Sequence, residues 1–409
     1  MKLEAVRRPL PTPAGILRDF GVTYAANGLI GFLFAASGPV AIILSMGTKG
    51  GLDQVQLASW VFGAFFFNSI LTSLFCILYR TPLVFFWTIP GTVLVGESLT
   101  HLAFEEVVGA YILTGVLMLV IGLTGWVRQV MNLVPLPIVM AMVAGVFLQF
   151  GLDLVLALHN GFFIAAPMVT TFLVLSIFSR LGRILPPLIG SLIFGILAVT
   201  LFGDINEGFS LETSTTLPAL VTPRFSISAA FELVIPLAIT VIIVQNGQGV
   251  AILKSARHDP PVNAITSACG GVSILAAAVG TVSTCLTGPT NALISSTGER
   301  NRQYTSGLFI AMLGLLFGLF SGLFTQLMLA TPAAFIATLA GLAMLRVLQN
   351  SMMTAFEGKC TLGALVTFLV TLTNIPLLNL GAPFWGLLFG CAVSWLLERQ
   401  DYQEVTVNE

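Results

Sequence analysis

The chain has 409 residues, of which 56% are hydrophobic and only 9% are charged, and its formal net charge is −1. A soluble domain of this size carries about a quarter charged residues, so this composition excludes a water-facing globular protein. The small net charge gives no indication of nucleic-acid binding. The predicted fold class is therefore an all-α polytopic membrane protein.

Apolar runs of about 20 residues recur from Gly21 almost to the C-terminus, and each can cross the hydrocarbon core of a bilayer. Backbone polar groups in lipid must be paired internally, so these runs are predicted to be helices. Fourteen transmembrane segments are predicted, at 21–46, 57–79, 83–102, 106–126, 133–153, 161–178, 184–203, 231–254, 262–280, 282–299, 305–329, 332–349, 361–378 and 382–398.

The distribution of basic residues predicts the orientation of these segments. With both termini on the cytoplasmic side, every Lys and Arg except Lys49 and Arg224 falls at a cytoplasmic end or in the N-terminal stretch. This asymmetry is what the positive-inside rule requires.

Segment one contains small residues on both sides of Ser37, in the run AASGP. Close approach of a ligand and tight helix packing explain this composition equally well, and both interpretations stay open. Ser37 is a candidate substrate-binding residue.

Segments three and ten are each interrupted by a Pro next to a Gly, at Pro90-Gly91 and Gly288-Pro289. Pro disfavours helix before it and is favoured in the first helical turn. Each segment is predicted to be a short extended stretch followed by a half-helix that begins near the bilayer centre. Two ordinary Pro-kinked helices are the alternative.

Two half-helix starts that face each other would bind an anion through unpaired N–H groups and positive dipole ends. No basic residue is predicted near the midplane, so the expected substrate is a carboxylate. Caps and core packing are the alternative roles of the candidate substrate-binding residues here, which are Phe86, Trp87, Pro90, Gly91, Thr92, Gly288, Thr290 and Asn291.

Segment eight carries three amides, Gln245, Asn246 and Gln248, which are costly in an apolar segment unless they are paired or functional. Gln245 and Gln248 share a helix face. All three are candidate substrate-binding residues, and helix–helix hydrogen bonding is the alternative. Glu97 is predicted to be the most deeply embedded acid and a candidate for proton coupling, with a structural or vestibule role as the alternative.

The two halves of the chain resemble each other. The run 87–96 aligns with 285–295, and three further pairs, including 143–150 with 339–346, follow in the same order at offsets of about 195–210 residues. Seven segments per half is an odd number, so a 7+7 inverted repeat is predicted. The sequence contains no nucleophile–base set, metal motif or phosphate loop, so an enzyme, a cofactor and a metal are not expected.

Several runs together resemble the benzoate/proton symporters of bacterial inner membranes, the BenE family. They are YRTPLVFFWTIPGTVLV at 79–95, EEVVGAYILTGVL at 105–117, QNGQGVAILKS at 245–255 and CLTGP at 285–289. The resemblance implies proton-coupled uptake of benzoate or a related aromatic carboxylate by alternating access. It also implies the inverted-repeat fold of uracil/xanthine permeases and of sulfate and bicarbonate carriers.

In that fold, a core (transport) domain would comprise 21–126 and 231–329, and a gate (scaffold) domain 133–203 and 332–398. The substrate would lie between the two breaks, and the gate domain would form a homodimer. Nucleobase permeases carry an acid where this chain has Gln245, which argues against a nucleobase substrate. Another small anion or a nucleobase, and a uniporter or channel for a small solute, are the alternative functions.

Overall fold

The computed structural model describes residues 3–6, 9–131, 134–202, 217–296, 298–373, 375, 377 and 382–407. The predicted domain limits at 133 and 203 and the end of segment thirteen at 378 lie outside these residues. In the first half, the elements are α1 (Pro13–Asp19), α2 (Val22–Ala36), α3 (Gly38–Lys49), α4 (Gln54–Tyr79), β1 (Phe85–Trp87), α5 (Ile89–Ser98), α6 (Phe104–Thr124), α7 (Val127–Met131), α8 (Leu136–Asn160), α9 (Phe162–Ile177), α10 (Ser179–Ile184) and α11 (Pro187–Phe202).

The second half begins with one long helix that alternates between α and π geometry, followed by shorter elements. These are α12 (Ile227–Ala229), a π-helix (Ala230–Val234), α13 (Ile235–Ile239), a second π-helix (Thr240–Asn246), α14 (Gly247–Ser255), α15 (Val262–Ala277), β2 (Thr284–Leu286), α16 (Gly288–Ser295), a 3₁₀ turn (Arg300–Arg302), α17 (Tyr304–Leu319), α18 (Ser321–Leu329), α19 (Ala333–Phe356), α20 (Thr361–Thr373), α21 (Ala382–Leu397) and α22 (Arg399–Val407).

By length and composition alone, six helical stretches of the described residues can cross a membrane, with Val22–Lys49 (α2 and α3) and Ile227–Ser255 (α12 to α14) each counted as one. The bent pair α17–α18 is a seventh if it is counted as one span. Five shorter apolar helices accompany them. The prediction of a multi-pass helical membrane protein is confirmed at this level. Each of the fourteen predicted segments overlaps a described helix or a strand–helix pair.

The structure departs from the predicted segments at two breaks. Segment one is divided at Ser37, because its backbone is not helical and Pro39 just beyond it has no N–H to donate. Segment eleven bends by 70° at Phe320, next to the Ser321-Gly322 pair.

Two predicted helices also continue past their expected ends. α8 runs to Asn160 and α19 to Phe356, whereas the sequence analysis ended these segments at 153 and 349. The positive-inside rule predicts Arg346 at a cytoplasmic helix end. In the structure Arg346 is an interior residue of α19.

The predicted extended stretch and half-helix are observed in both interrupted segments. β1 and β2 form an antiparallel pair in which Phe86 lies opposite Cys285. Side chains satisfy outward-facing groups of both strands: Thr72 Oγ1 accepts the Phe85 N–H at 2.9 Å, and Ser273 Oγ accepts the Thr284 N–H at 2.9 Å. Irregular backbone is tolerated at membrane depth only with such internal partners.

The helices pack as two groups. The first group contains α2 to α6 and α12 to α18, with an aromatic centre in which the Phe65 ring lies 5.3 Å from Trp87 and 4.5 Å from Phe317. The second group contains α8, α9, α11 and α19 to α21. The two groups meet chiefly where α3 contacts α19 and α5 contacts α8.

Candidate functional site

A cavity of about 740 Å³, here called the central cavity, lies between the two helix groups. The first group contributes aromatic, proline and amide side chains, and the second group contributes mostly apolar ones. Residues that line it from the first group include Phe86, Trp87, Pro90, Gln245, Gln248 and Thr290, and from the second group Phe147, Phe172, Leu188, Ala343 and Arg346. Its shape and mixed lining are typical of a small-molecule site.

Both half-helix starts border the central cavity through Pro90 and Pro289. The two starts differ chemically. In α5 the side chain of Thr88 accepts the Gly91 N–H at 3.2 Å, so one N-terminal donor is already occupied. In α16 no side chain caps the helix, and the Thr287 hydroxyl donates to Val84 O. The start of α16 therefore has fewer of its N-terminal donors paired with side chains than the start of α5 has.

Gln245 and Gln248 both line the central cavity, as their predicted common face requires. Gln245 lies at the end of the second π-helix and Gln248 in the first turn of α14. Gln248 rests on the start of α16, because a Cβ at Gly288 would lie 2.4 Å from Gln248 Oε1. A single-turn π-helix often marks a functional position within a helix.

Asn246 points away from the central cavity toward β2. Its Oδ1 accepts the Leu286 N–H at 2.8 Å, and its side chain is fully buried. Gly249 allows this close approach, since a Cβ there would lie 2.7 Å from a Leu286 methyl. The amide thus holds the second strand against segment eight.

Asn291 makes three hydrogen bonds, two of which link the two interrupted segments. Its Nδ2 donates to Val84 O at 3.0 Å and to Thr287 O at 2.6 Å, and its Oδ1 accepts the Val84 N–H at 3.1 Å. The side chain is fully buried and does not line the central cavity. Its contacts are those of a scaffold residue.

Four other predicted substrate-binding residues also lie behind the cavity wall. Ser37 Oγ donates to Phe34 O at 3.1 Å, and Thr92 Oγ1 donates to Thr88 O at 2.9 Å. Gly91 and Gly288 are buried in the first turns of their half-helices. Segment one instead contributes Ala35 and Pro39 to the lining.

Glu97 lies outside the central cavity and forms an ion pair with Lys49 at 2.5 Å. It borders a separate small pocket of about 120 Å³ together with His101 and Glu232. Glu97 is less buried within the protein than Glu232, because its side chain is 20% exposed while that of Glu232 is 2% exposed. The helix of segment eight begins at Ile227, so Glu232 is enclosed within it rather than at its end.

Glu232 takes part in a compact polar cluster. One carboxylate oxygen accepts a hydrogen bond from Ser98 Oγ, and the other lies 3.0 Å from His101 Nε2. Ser98 belongs to α5, so this cluster connects a half-helix to segment eight. This cluster was not predicted, because His101 and Glu232 lie at the very ends of predicted segments three and eight.

Arg346 of the second helix group lines the central cavity, and this position was not predicted from the sequence. It is the one charged side chain among the described residues that line the central cavity. The available signal was an Arg inside an apolar run, LAGLAMLRVL, which the positive-inside rule assigned to a helix end.

Comparison with known proteins agrees with this architecture. The profile of the benzoate membrane transport protein family, BenE, matches residues 18–396. The "Benzoate membrane transport protein" of Acinetobacter baylyi is 28% identical over 385 residues, covering 93% of this chain and 96% of its own length. "Inner membrane protein YdcO" of Escherichia coli is 27% identical over 367 residues, covering 89% of this chain and 93% of its own length.

Solved structures share the fold at low sequence identity. The transmembrane domain of the cyanobacterium bicarbonate transporter BicA superposes with a TM-score of 0.62 at 18% identity, over 91% of this chain and 98% of that one. SLC26A9 superposes with a TM-score of 0.65 at 15% identity, over 94% of this chain and 67% of that one. The match of the family profile across nearly the whole chain shows that the protein is a member of the benzoate membrane transport protein (BenE) family.

Proposed function

We propose that the protein is a secondary active transporter that takes up benzoate or a related aromatic carboxylate together with protons, by alternating access. The observation that carries this proposal is the central cavity, which lies between two helix groups and is bordered by both half-helix starts. Substrate sites at interrupted helices between two repeats recur in secondary transporters.

The central cavity matches an aromatic carboxylate in size and chemistry. Its volume of about 740 Å³ is within the range of small-molecule sites. Phe86 and Trp87 offer aromatic surface for a ring, while the uncapped start of α16, Gln248 and Thr290 offer donors for a carboxylate. Gln245 completes the polar wall. The candidate binding roles of the residues behind the wall, such as Asn291, remain predictions.

A 7+7 inverted repeat of fourteen spans is part of the proposal. Equivalent hydrogen bonds about 200 positions apart support it. Thr72 accepts from β1 as Ser273 accepts from β2. The strand pair also extends symmetrically, since the Thr88 N–H donates to Ser283 O at 3.0 Å and the Thr287 N–H donates to Val84 O at 3.1 Å.

We assign the first helix group to the core (transport) domain, 21–126 and 231–329, and the second to the gate (scaffold) domain, 133–203 and 332–398. With both termini cytoplasmic, the lining near Met131 and Asn350 lies at the cytoplasmic end, and Asn350 is exposed. The conformation is then an inward-open one. A homodimer through the gate domain completes the expected assembly in the inner membrane.

Proton coupling by Glu97 remains part of the proposal. Its partner Lys49 must release it for protonation to take place, because the two side chains form an ion pair. Protonation of a carboxylate during transport would offset the negative charge that the substrate brings into the membrane.

Uptake of labelled benzoate into proteoliposomes tests the proposal. An inward proton gradient should drive accumulation that is saturable and that a protonophore abolishes, and protein-free liposomes are the control. A panel of unlabelled benzoate, bicarbonate and uracil identifies the substrate class by competition. Labelled benzoate that ignores the gradient and is displaced by no member of the panel would overturn the proposal. Gradient-driven uptake of labelled bicarbonate or labelled uracil in place of benzoate would assign another substrate on the same fold.

A further inference from the structure

Among the described residues, the lining of the central cavity has one charged side chain and is otherwise neutral. Arg346 is the one charged side chain among its described lining residues, and none of those residues is acidic. It belongs to α19 in the second helix group, whereas both half-helix starts and the amides Gln245 and Gln248 belong to the first group. The cation thus lies on a different wall of the cavity from the half-helix starts and the two glutamine amides.

Arg346 has no acidic partner among the described residues. The ion pairs of the described chain do not include it, and its one hydrogen bond runs from Nη1 to the neutral Gln349 Oε1 at 2.9 Å. A guanidinium carries five N–H donors in a planar fork, so most of them remain available. Arg346 is an exposed residue, so these donors are accessible to an anion that enters the cavity.

We propose that Arg346 is the residue by which the central cavity selects an anion over a neutral molecule of the same shape. This inference rests on the proposed function and adds a residue to it. The guanidinium fork pairs with both oxygens of a carboxylate, while the ring of the substrate contacts the apolar lining. An isolated positive charge with low-dielectric walls also raises the local concentration of anions at the cytoplasmic opening.

The position of Arg346 determines when it acts. Asn350 and Ser351, one turn further along α19, also line the cavity toward its cytoplasmic end. A carboxylate that moves between the cytoplasm and the start of α16 therefore passes Arg346. The residue binds the anion from the gate side, and the half-helix start binds it from the core side.

The test measures binding of benzoate and of benzamide, its neutral isostere, to purified wild-type protein, to Arg346→Gln and to Arg346→Met. Isothermal titration calorimetry in detergent is the readout, with transport as a second one. Wild-type protein should prefer benzoate, and both neutral variants should lose about ten- to a hundredfold of benzoate affinity with little change for benzamide. Arg346→Lys keeps the charge without the fork and should retain part of the preference.

Arg128→Gln is the matched control, because Arg128 is an exposed Arg of α7 that does not line the cavity. It should bind both ligands as wild-type protein does. Raising the salt concentration should weaken benzoate binding to wild-type protein more than to Arg346→Gln. If one neutral variant fails to fold, the other and Arg346→Lys still decide the question.

Two negative outcomes are distinguishable. If wild-type protein binds benzoate and the neutral variants keep both the affinity and the preference over benzamide, the role of Arg346 is refuted and the proposed function stands. If wild-type protein binds no carboxylate, the proposed function fails and the role of Arg346 fails with it.

Discussion

Replacing Asn291 by Leu separates a scaffold role from a substrate-binding role. The substitution preserves side-chain volume and removes the three hydrogen bonds to Val84 and Thr287. In a scaffold residue this change lowers the free energy of unfolding and leaves the affinity of folded protein unchanged. In a substrate-binding residue it lowers the affinity and leaves stability nearly unchanged.

The size of this destabilisation depends on which backbone groups are left without a hydrogen-bond partner. Val84 O keeps the Thr287 N–H and hydroxyl as donors, and Thr287 O keeps the Asn291 backbone N–H. Of these backbone groups, the Val84 N–H loses its hydrogen bond to Asn291 Oδ1, and leaving a buried donor unpaired costs about 1–3 kcal/mol. Together with the lost neutral hydrogen bonds, we expect destabilisation of about 2–3 kcal/mol.

Reversible unfolding in mixed detergent–SDS micelles measures this free energy, and transport per folded molecule measures function. Thr290→Val is the matched control, since Thr290 is the adjacent residue and lines the central cavity. It should raise the KM for the carboxylate with little loss of stability. An Asn291→Leu protein that unfolds within about 0.5 kcal/mol of wild type but has a raised KM would refute the scaffold assignment.

Three further substitutions test other parts of the site. Gln245→Ala should reduce transport without reducing membrane abundance, measured by uptake and immunoblot, and normal kinetics would count against its place in the binding site. Gly288→Ala should raise KM, because the added Cβ would displace the Gln248 amide; unchanged KM in folded protein would show that this amide does not contact substrate. Glu232→Ala should destabilise the protein by about 1–3 kcal/mol, because the buried carboxylate's contacts with Ser98 and His101 are lost; an unaltered unfolding midpoint would contradict it.

Local chemistry made the interrupted segments predictable. A Pro that is next to a Gly and follows β-branched and aromatic residues fits best in the first turn of a helix. Pro90 and Pro289 both occupy that position. The pairing of β1 with β2 was not predictable, because its register depends on two segments about 200 positions apart. Three-residue strands carry too little pattern to specify a partner.

Residue type did not reveal which amides face the cavity. Gln245 and Asn246 are adjacent and chemically alike, yet one lines the cavity and the other bonds β2. A spacing of three residues correctly grouped Gln245 with Gln248, because it is a property of one helix. The hydrogen bonds of Asn291 to Val84 and the place of Arg346 in the cavity lining were not predicted, because both depend on contacts between segments, which a single sequence does not contain.

The hydrogen-bonded pair of β1 and β2 has a consequence for directionality. The two half-helix starts are joined through it into one unit, and Asn291 reinforces the joint. On the proposed mechanism this unit keeps its internal geometry whichever side of the membrane it faces. The contribution that this unit makes to substrate preference is then the same from both compartments, and any difference between the two sides comes from the wall that the second helix group supplies.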